Sequence, residues 1–209
     1  MKTLALQTNR QYTAAVRTLL ANLVKLAVAG TLIGTLHAQD YVVAIILALY
    51  AILSIGKKFV SASQDRFIYL IGFLISAALG VACELWGIYF GHWEYHDLSG
   101  LREVPYWLPF AWGLAFTYIY KIEKNLVNSL QIHSTNGKIL LALLAAMIFP
   151  TIGEMITIYL GVWTYRWPYQ IFGVPLLAIF LLMVFHTGVN FLMTLICRRM
   201  RWYDPVFNP

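Results

Sequence analysis

The stretch Glu84-Leu-Trp-Gly-Ile-Tyr-Phe-Gly-His-Trp-Glu-Tyr95 returns seventy residues later as Glu154-Met-Ile-Thr-Ile-Tyr-Leu-Gly-Val-Trp-Thr-Tyr165. Six of the twelve positions are identical, and the alignment continues without a gap to Val104-Pro105 and Val174-Pro175. Each copy closes a long apolar segment that carries a glutamate. A charged side chain in hydrocarbon costs about 3 kcal/mol or more, so such a residue tends to mark a functional site. We therefore interpret the two stretches as an internal repeat with one site residue, Glu84 or Glu154, in each copy.

Composition and hydropathy predict a membrane protein. Of the 209 residues, 60% are hydrophobic and 11% are charged, with a mean hydropathy of +0.70, whereas about 25% of a soluble domain is charged. The apolar stretches approach the roughly 20 residues that a membrane-spanning helix needs. We predict an all-α, polytopic membrane bundle of about six transmembrane helices, at roughly 16–37, 41–56, 67–90, 105–121, 138–161 and 173–197.

The predicted helices form a single transmembrane domain that covers residues 1–209. It divides into a tail and hairpin (1–66), repeat copy one (67–121) and repeat copy two (138–197). Helices 3 and 4 and helices 5 and 6 then form two helical hairpins. Equivalent helices point the same way, so the repeat is parallel.

Basic residues are distributed unevenly among the predicted loops. Twelve of the fifteen Lys and Arg residues fall on one side of the membrane: Lys2, Arg10, Arg17, Lys57, Lys58, Arg66, Lys121, Lys124, Lys138, Arg198, Arg199 and Arg201. The positive-inside rule places both termini in the cytoplasm and the repeat loops on the outer, periplasmic or extracellular, side. A basic surface beside anionic membrane lipid also explains the net charge of +6 without nucleic acid as a partner.

The two repeated glutamates are the candidate acid and base. Each lies about seven residues before the outer end of its helix, or about 10 Å below the membrane boundary. A carboxylic acid kept protonated there can give its proton to an apolar substrate, and we expect Glu84 to act as this acid and Glu154 as the partner base. Aromatic rings are expected to line the substrate site: Trp93, Tyr95, Trp112, Trp163 and Tyr165. The alternative is that each glutamate is a structural clamp for its loop.

His186 and Asn190 stand one turn apart on the sixth helix, near the middle of the membrane. Their equivalents in copy one are Phe116 and Tyr120, so this polar pair breaks the repeat. Such asymmetry favours a specialised role, with His186 catalytic and Asn190 in contact with substrate, although a histidine in a helix interior also serves in packing. His186 belongs to no pair at metal-ligand spacing, and we predict no metal ligands.

The element Glu…Gly-x-Trp-x-Tyr, with a short loop and Val-Pro after it, resembles the membrane-embedded carotenoid-modifying proteins. These are the carotenoid 1,2-hydratases of the bacterioruberin type and the small integral-membrane lycopene cyclases. Copy one resembles the hydratases through Glu84, Gly91, Tyr95, Val104-Pro105 and Trp112, and copy two resembles the cyclase repeat through 161–165 and 173–175. The resemblance implies a carotenoid-like isoprenoid ligand and hydration or cyclisation of a carbon–carbon double bond by a lyase or isomerase. It implies no required cofactor beyond a bound carotenoid or other pigment.

The sequence leaves two further functions open. After the proline, where the cyclases carry acidic residues, this chain has Tyr106-Trp107 and Leu176-Leu177. This difference favours a non-catalytic accessory subunit that binds pigment or lipid within a larger membrane complex, and the apolar tail 201–209 is suited to dock on such a partner. Paired acids in parallel hairpins also allow a small transporter, but few polar residues remain to line an aqueous path. The chain has no P-loop, dinucleotide fingerprint or kinase motif, so we do not expect nucleotide-dependent chemistry.

Overall fold

Helices dominate the structure, a computed structural model that describes residues 2–98 and 102–207, with side chains from residue 12 onward. The helices are α1 (Lys2–Leu36), α2 (Asp40–Val60), α3 (Arg66–Tyr89), α4 (Leu108–Leu130), α5 (Thr135–Tyr159) and α6 (Leu176–Met200). A 3-10 turn, His37–Gln39, joins α1 to α2. Four short strands complete the described chain: β1 (Trp93–Tyr95), β2 (Trp163–Tyr165), β3 (Gln170–Ile171) and β4 (Val174–Pro175). The prediction of an all-α fold is confirmed.

Four helical segments of the described chain are long and apolar enough to cross a membrane: Tyr12–Val60, Arg66–Tyr89, Thr135–Tyr159 and Leu176–Met200. The first contains most of α1, the 3-10 turn and α2. Large apolar side chains on α1 are exposed at a spacing of four residues, at Val16, Leu20, Val24 and Val28. A stripe of this kind needs an apolar surrounding. Length, composition and exposed surface together indicate an integral membrane protein.

Helix α4, which is not among these four apolar segments, lies at the centre of the bundle. It contacts α1, α2, α3 and α5. Its side chains contribute to three separate hydrophobic clusters, for example through Phe116, Ile122 and Leu108. Because its neighbours shield it, α4 can carry polar residues that a lipid-facing helix cannot, and this accounts for its lower hydropathy.

The bundle has two ends, which we call the hairpin end and the tail end. At the hairpin end, β1 and β2 pair, and the α1–α2 junction packs against the loops through the ion pairs His37–Asp97 and Asp40–Arg102. The tail end holds the segment Trp202–Phe207, which follows α6.

A polar cluster joins the helices at the tail end. Lys124 of α4 pairs with Asp65, which precedes α3, at 2.9 Å and with Asp204, which follows α6, at 3.2 Å. Lys58 of α2 pairs with Asp65 at 3.1 Å. Four helices are therefore tied together by buried and half-buried charges at this end.

Helices α3 and α5 end in the same way. Gly91 and Gly161 adopt positive φ values of 68° and 82°, which glycine reaches without the cost of a Cβ. Around each glycine the backbone forms a Schellman motif, in which Gly91 N and His92 N donate to the carbonyls of Ile88 and Gly87. The equivalent bonds, from Gly161 N and Val162 N, recur seventy residues later. The turn sends each chain into its strand.

The two strands that leave these turns pair with each other. They are antiparallel, with Trp93 opposite Tyr165, Glu94 opposite Thr164, and Tyr95 opposite Trp163. Residues at equivalent positions of the two sequence copies therefore occupy equivalent positions about a local twofold axis between Glu94 and Thr164. The flanking bonds Arg166 N to His92 O and His96 N to Val162 O follow the same symmetry.

Several predicted boundaries are wrong. α1 begins at Lys2, within the segment expected to be a polar tail; the side chains of Lys2 and Arg10, used to predict orientation, lie outside the described ones. α4 begins at Leu108 instead of 105 and continues to Leu130 instead of ending at 121. The second error arose because Lys121 and Lys124 suggest a loop, whereas the apolar periodicity continues past both.

The tail, whose apolar sequence suggested a docking segment, packs against its own bundle. Trp202 stacks on Phe67 and Phe207 stacks on Tyr120, with ring centroids 5.4 Å apart in both cases. Phe207 is buried in the core cluster of its own bundle. Residues 201–207 thus pack on their own bundle. The expectation that this segment docks on a partner stays a prediction, and residues 208–209 lie outside the described chain.

Candidate functional site

Glu84 lies near the hairpin end of α3 and is held by two indoles. Trp93 Nε1 donates to its Oε2 at 2.8 Å, and Trp112 Nε1 of α4 donates to its Oε1 at 3.1 Å. Both rings lie over glycines of α3: a Cβ on Gly87 would be 1.9 Å from Trp93, and one on Gly80 would be 2.2 Å from Trp112. The small residues on the face of Glu84 thus make room for the aromatic rings that bind it.

Glu154 occupies the equivalent position on α5 but has a different donor. Tyr165 Oη donates to its Oε2 at 3.1 Å. The position equivalent to Trp112 in the second copy is Leu182, which cannot donate a hydrogen bond. Among the described side chains Glu84 therefore has more donors than Glu154.

Aromatic rings connect the two glutamates. Trp93 and Tyr165, which donate hydrogen bonds to different glutamates, pack edge to face with ring centroids 5.5 Å apart. On the other side of the twofold axis Tyr95 and Trp163 make the same kind of contact at 5.6 Å. Four of the five aromatic residues predicted from the sequence thus lie in one cluster at the β1–β2 pair. The fifth, Trp112, joins this cluster through Glu84.

Both tyrosines of the cluster respond to both acids. Burial raises the pKa of Tyr95 well above 10, and the charge of Glu84 and then that of Glu154 raise it further. Burial likewise raises the pKa of Tyr165, with Glu154 and then Glu84 adding to the effect. Both phenols therefore stay protonated and act as hydrogen-bond donors. The hydrogen bonds from Trp93 and Tyr165, whose rings touch, place both acids beside one aromatic cluster.

His186 and Asn190 belong to a different cluster. His186 Nε2 lies 2.7 Å from Glu123 Oε1, and Asn190 Nδ2 lies 3.2 Å from Glu123 Oε2. The side chains of Glu123 and His186 are only 1% and 6% exposed. Asn190 Oδ1 is buried and finds no hydrogen-bond partner among the described residues. His186 and Asn190 thus contact Glu123, and no hydrogen bond among the described residues joins them to Glu84 or Glu154.

Glu123 was missed from the sequence because helix 4 was predicted to end at Lys121. A signal was present. Ile119, Ile122, Glu123 and Leu126 follow the i, i+3, i+4, i+7 spacing of a buried helix face, and all four are buried. Continuing that period would have placed a third acid inside the bundle.

The histidines of the first repeat loop are engaged with the second copy. Trp167 Nε1 donates to His92 Nδ1 at 3.1 Å, and His96 Nε2 lies 2.8 Å from Thr164 Oγ1. They take part in the contact between β1 and β2, on opposite sides of Glu94. No cluster of three or more His, Cys, Asp or Glu side chains suited to a metal occurs in the part of the chain that the structure describes.

Comparisons with protein-family models, with curated proteins and with solved structures found no match to this chain.

Proposed function

We propose that this protein is a polytopic membrane enzyme that adds a proton to a double bond of a long, carotenoid-like isoprenoid, leading to hydration or cyclisation. One observation carries the proposal: two glutamates on apolar helices meet a single aromatic cluster through the Trp93–Tyr165 contact. Acids beside a cluster of tryptophan and tyrosine rings suit a reaction that passes through a carbocation, because aromatic faces attract cations. The resemblance to carotenoid hydratases and lycopene cyclases agrees with this chemistry.

The hydrogen bonds favour a division of roles opposite to the one expected from the sequence. N–H donors stabilise an ionised carboxylate, and Glu84 accepts two from indoles. Glu154 accepts one bond from a phenol among the described side chains. We therefore assign Glu154 as the proton donor and Glu84 as the carboxylate.

The reaction balances with these two groups. Glu154 gives its proton to one carbon of the double bond, and the positive charge develops on the neighbouring carbon, over the aromatic faces. In hydration, water bonds to that carbon and Glu84 accepts the proton that the water loses. In cyclisation, a second double bond of the same substrate attacks, and Glu84 removes a proton from the new cation. Return of the proton from Glu84 to Glu154 restores the starting state.

The acids are tested by comparing Glu154→Gln, Glu84→Gln and Asp97→Asn in membranes supplied with an acyclic carotenoid. Glutamine keeps the shape of the side chain but has no acidic proton. We expect the first variant to lose product formation by at least about 100-fold and the second to lose most of it. Asp97 is 65% exposed at the same end of the bundle, so the third variant should retain wild-type activity. Full activity in both Glu84→Gln and Glu154→Gln would eliminate the mechanism.

The proposal includes six spans, with the hairpins α3–α4 and α5–α6 as copies of one unit, both termini cytoplasmic and the hairpin end outside. The recurrence of the same turn and strand bonds after seventy residues supports the duplication. In a cysteine-free background, a single cysteine at Thr164 should react with a membrane-impermeant maleimide in intact cells. One at Ser134, between α4 and α5, should react only after lysis. The reverse pattern would overturn the orientation.

The second candidate is a non-catalytic membrane subunit that binds pigment or lipid. It is favoured by the fact that the chain's own Trp and Tyr side chains already bind both carboxylates, as a structural clamp requires. Purification in mild detergent separates the two candidates. A subunit should leave the membrane with a larger complex at fixed stoichiometry, and its glutamine variants should alter assembly and leave product formation by that complex intact.

A further inference from the structure

A groove of about 480 Å³ opens at the hairpin end, between α3 and the segment that leads into α4. Val81 and Leu85 of α3 form one wall, and Tyr106, Leu108 and Pro109 form the other. The charged residues Arg102 and Glu103 also line it. This volume falls in the range that encloses most of a drug-sized ligand, about 300–1,000 Å³.

The groove and the candidate acid share the same two helices. Glu84 lies between Val81 and Leu85 in the sequence of α3, and Trp112 follows Leu108 by one helical turn on α4. The Trp112–Glu84 hydrogen bond crosses the α3–α4 interface that the groove continues. Neither Glu84 nor Trp112 lines the groove itself, so a molecule held there would lie next to the α3 and α4 positions that carry them.

The two sides of the groove differ in polarity. Leu85 and Tyr106 are 43% and 56% exposed, and Leu85 belongs to an apolar segment whose surface needs lipid around it. At the rim, the Arg102 guanidinium pairs with Asp40 and lies 3.9 Å from the centre of the Tyr106 ring. The groove thus offers hydrocarbon contact along its walls and polar groups at one edge.

We propose that this groove receives one end of the isoprenoid chain from the bilayer and is the substrate-binding groove of the enzyme. The assignment of an isoprenoid rests on the proposed function. Apolar walls fit the branched hydrocarbon, and the polar rim admits the water or hydroxyl group that accompanies hydration. A chain long enough to cross the roughly 30 Å hydrocarbon layer exceeds the groove, so only its end is held there.

The test uses the full-length protein in nanodiscs loaded with lycopene as the probe, with the retained pigment measured per protein after washing. Leu85→Trp fills the groove. Leu79→Trp is the matched control, because Leu79 lies on the same helix and is 40% exposed but does not line the groove. We expect Leu85→Trp to lower pigment retention about tenfold and Leu79→Trp to leave it within about twofold. Melting temperatures near that of the wild type show that both variants are folded.

Equal retention by Leu85→Trp and the wild type would overturn the proposal, as would equal loss in both variants or no retention by the wild type. Retention of phospholipid in place of lycopene would also overturn it, because the groove would then be a lipid site.

Product analysis on the same samples separates this proposal from the acid mechanism. If Glu154→Gln keeps both its pigment and full activity, the acid mechanism is wrong and the assignment of the groove is unaffected. If activity requires Glu154 but Leu85→Trp keeps both activity and normal pigment retention, the assignment of the groove is wrong and the acid mechanism is unaffected.

Discussion

Trp93 and Tyr165 pack edge to face with ring centroids 5.5 Å apart, and each donates a hydrogen bond to a glutamate on a different helix. Trp93 binds Glu84 of α3, and Tyr165 binds Glu154 of α5. One aromatic contact therefore links the two copies of the repeated element at the level of their acidic residues. A change at either ring should alter both the packing of the hairpin end and the surroundings of both acids.

Replacement of Trp93 by alanine should lower the free energy of unfolding by about 3–5 kcal/mol. The ring fills the space above Gly87, contacts Tyr165 and donates to Glu84, so its loss leaves both a cavity and a carboxylate with one donor fewer. Thermal unfolding in detergent measures the effect. Arg166→Ala is the control: the Arg166–Glu94 pair is 60% and 49% exposed, and such pairs contribute about 0–1 kcal/mol. Equal stability of the two variants would contradict the central role of the aromatic contact.

Gly80 is expected to tolerate no side chain. A Cβ at this position would lie 2.2 Å from Trp112, which α4 presses against α3. Gly80→Ala should therefore cost about 1–3 kcal/mol through overpacking, and it should displace the indole that binds Glu84. In α2, a Cβ on Gly56 meets nothing within 4 Å, so Gly56→Ala should be neutral or stabilise by up to about 1 kcal/mol. The difference in melting temperature between the two alanine variants checks the prediction.

The sequence predicted the helices better than the contacts between them. Apolar length is a local property, so α3, α5 and α6 were placed to within about three residues. The repeated Gly-x-Trp-x-Tyr indicated the residues of the aromatic cluster, because positive φ and ring packing constrain those positions. That the two copies pair with each other, with Trp93 opposite Tyr165, could not be read from either copy. Pairing depends on how two hairpins pack, which hydropathy does not encode.

Charge was the property that misled the sequence interpretation. Lys121 and Lys124 suggested a loop, yet α4 continues through both, because Lys121 is exposed and Lys124 pairs with Asp65 and Asp204. Glu123 was hidden by the same error. The buried partners of a charge are set by tertiary structure, which the sequence does not display. Only the continued helical period of the apolar residues could have indicated that Glu123 is buried.

Glu123 should be the acid whose removal most affects stability. Glu123→Ala leaves His186 and Asn190 buried without their shared acceptor, and loss of one member of a buried pair costs about 3–5 kcal/mol. Glu123→Gln keeps an oxygen that can accept a bond, so it should cost less. The exposed Glu103 provides the control, since Glu103→Ala should stay within about 0.5 kcal/mol of the wild type. Unfolding of the three variants in detergent ranks them, and a Glu123→Ala protein as stable as Glu103→Ala would refute this role.

Asp65 should make the tail end sensitive to acid. Burial tends to raise the pKa of Asp65, but hydrogen bonds from Ser63, Lys124 and Lys58 outweigh it and lower the pKa from 3.8 to about 2. A carboxyl that is more acidic in the folded state stabilises the fold fully above its unfolded pKa, and this contribution is lost as the pH falls from about 4 towards 2. The melting temperature of the wild type should therefore fall more steeply over that interval than that of Asp65→Asn. Asp97→Asn, at a side chain that is 65% exposed, should follow the wild type. Parallel curves for wild type and Asp65→Asn would contradict the prediction.

The segment Trp202–Phe207 should stabilise its own bundle. Phe207 is 1% exposed and stacks on Tyr120 of α4, whose hydroxyl donates to Asp204 at 2.6 Å. Phe207→Ala removes a buried ring from the cluster that joins α3, α4 and α6, so it should cost about 3 kcal/mol or more. Tyr203 is 80% exposed, and Tyr203→Ala should change stability by less than about 0.5 kcal/mol. Size-exclusion chromatography in mild detergent adds a second measurement. If the tail packs only within its own chain, Phe207→Ala should lower the melting temperature and leave the size of the particle unchanged. Loss of a larger assembly in Phe207→Ala, with unchanged melting, would instead make this segment a contact with a partner.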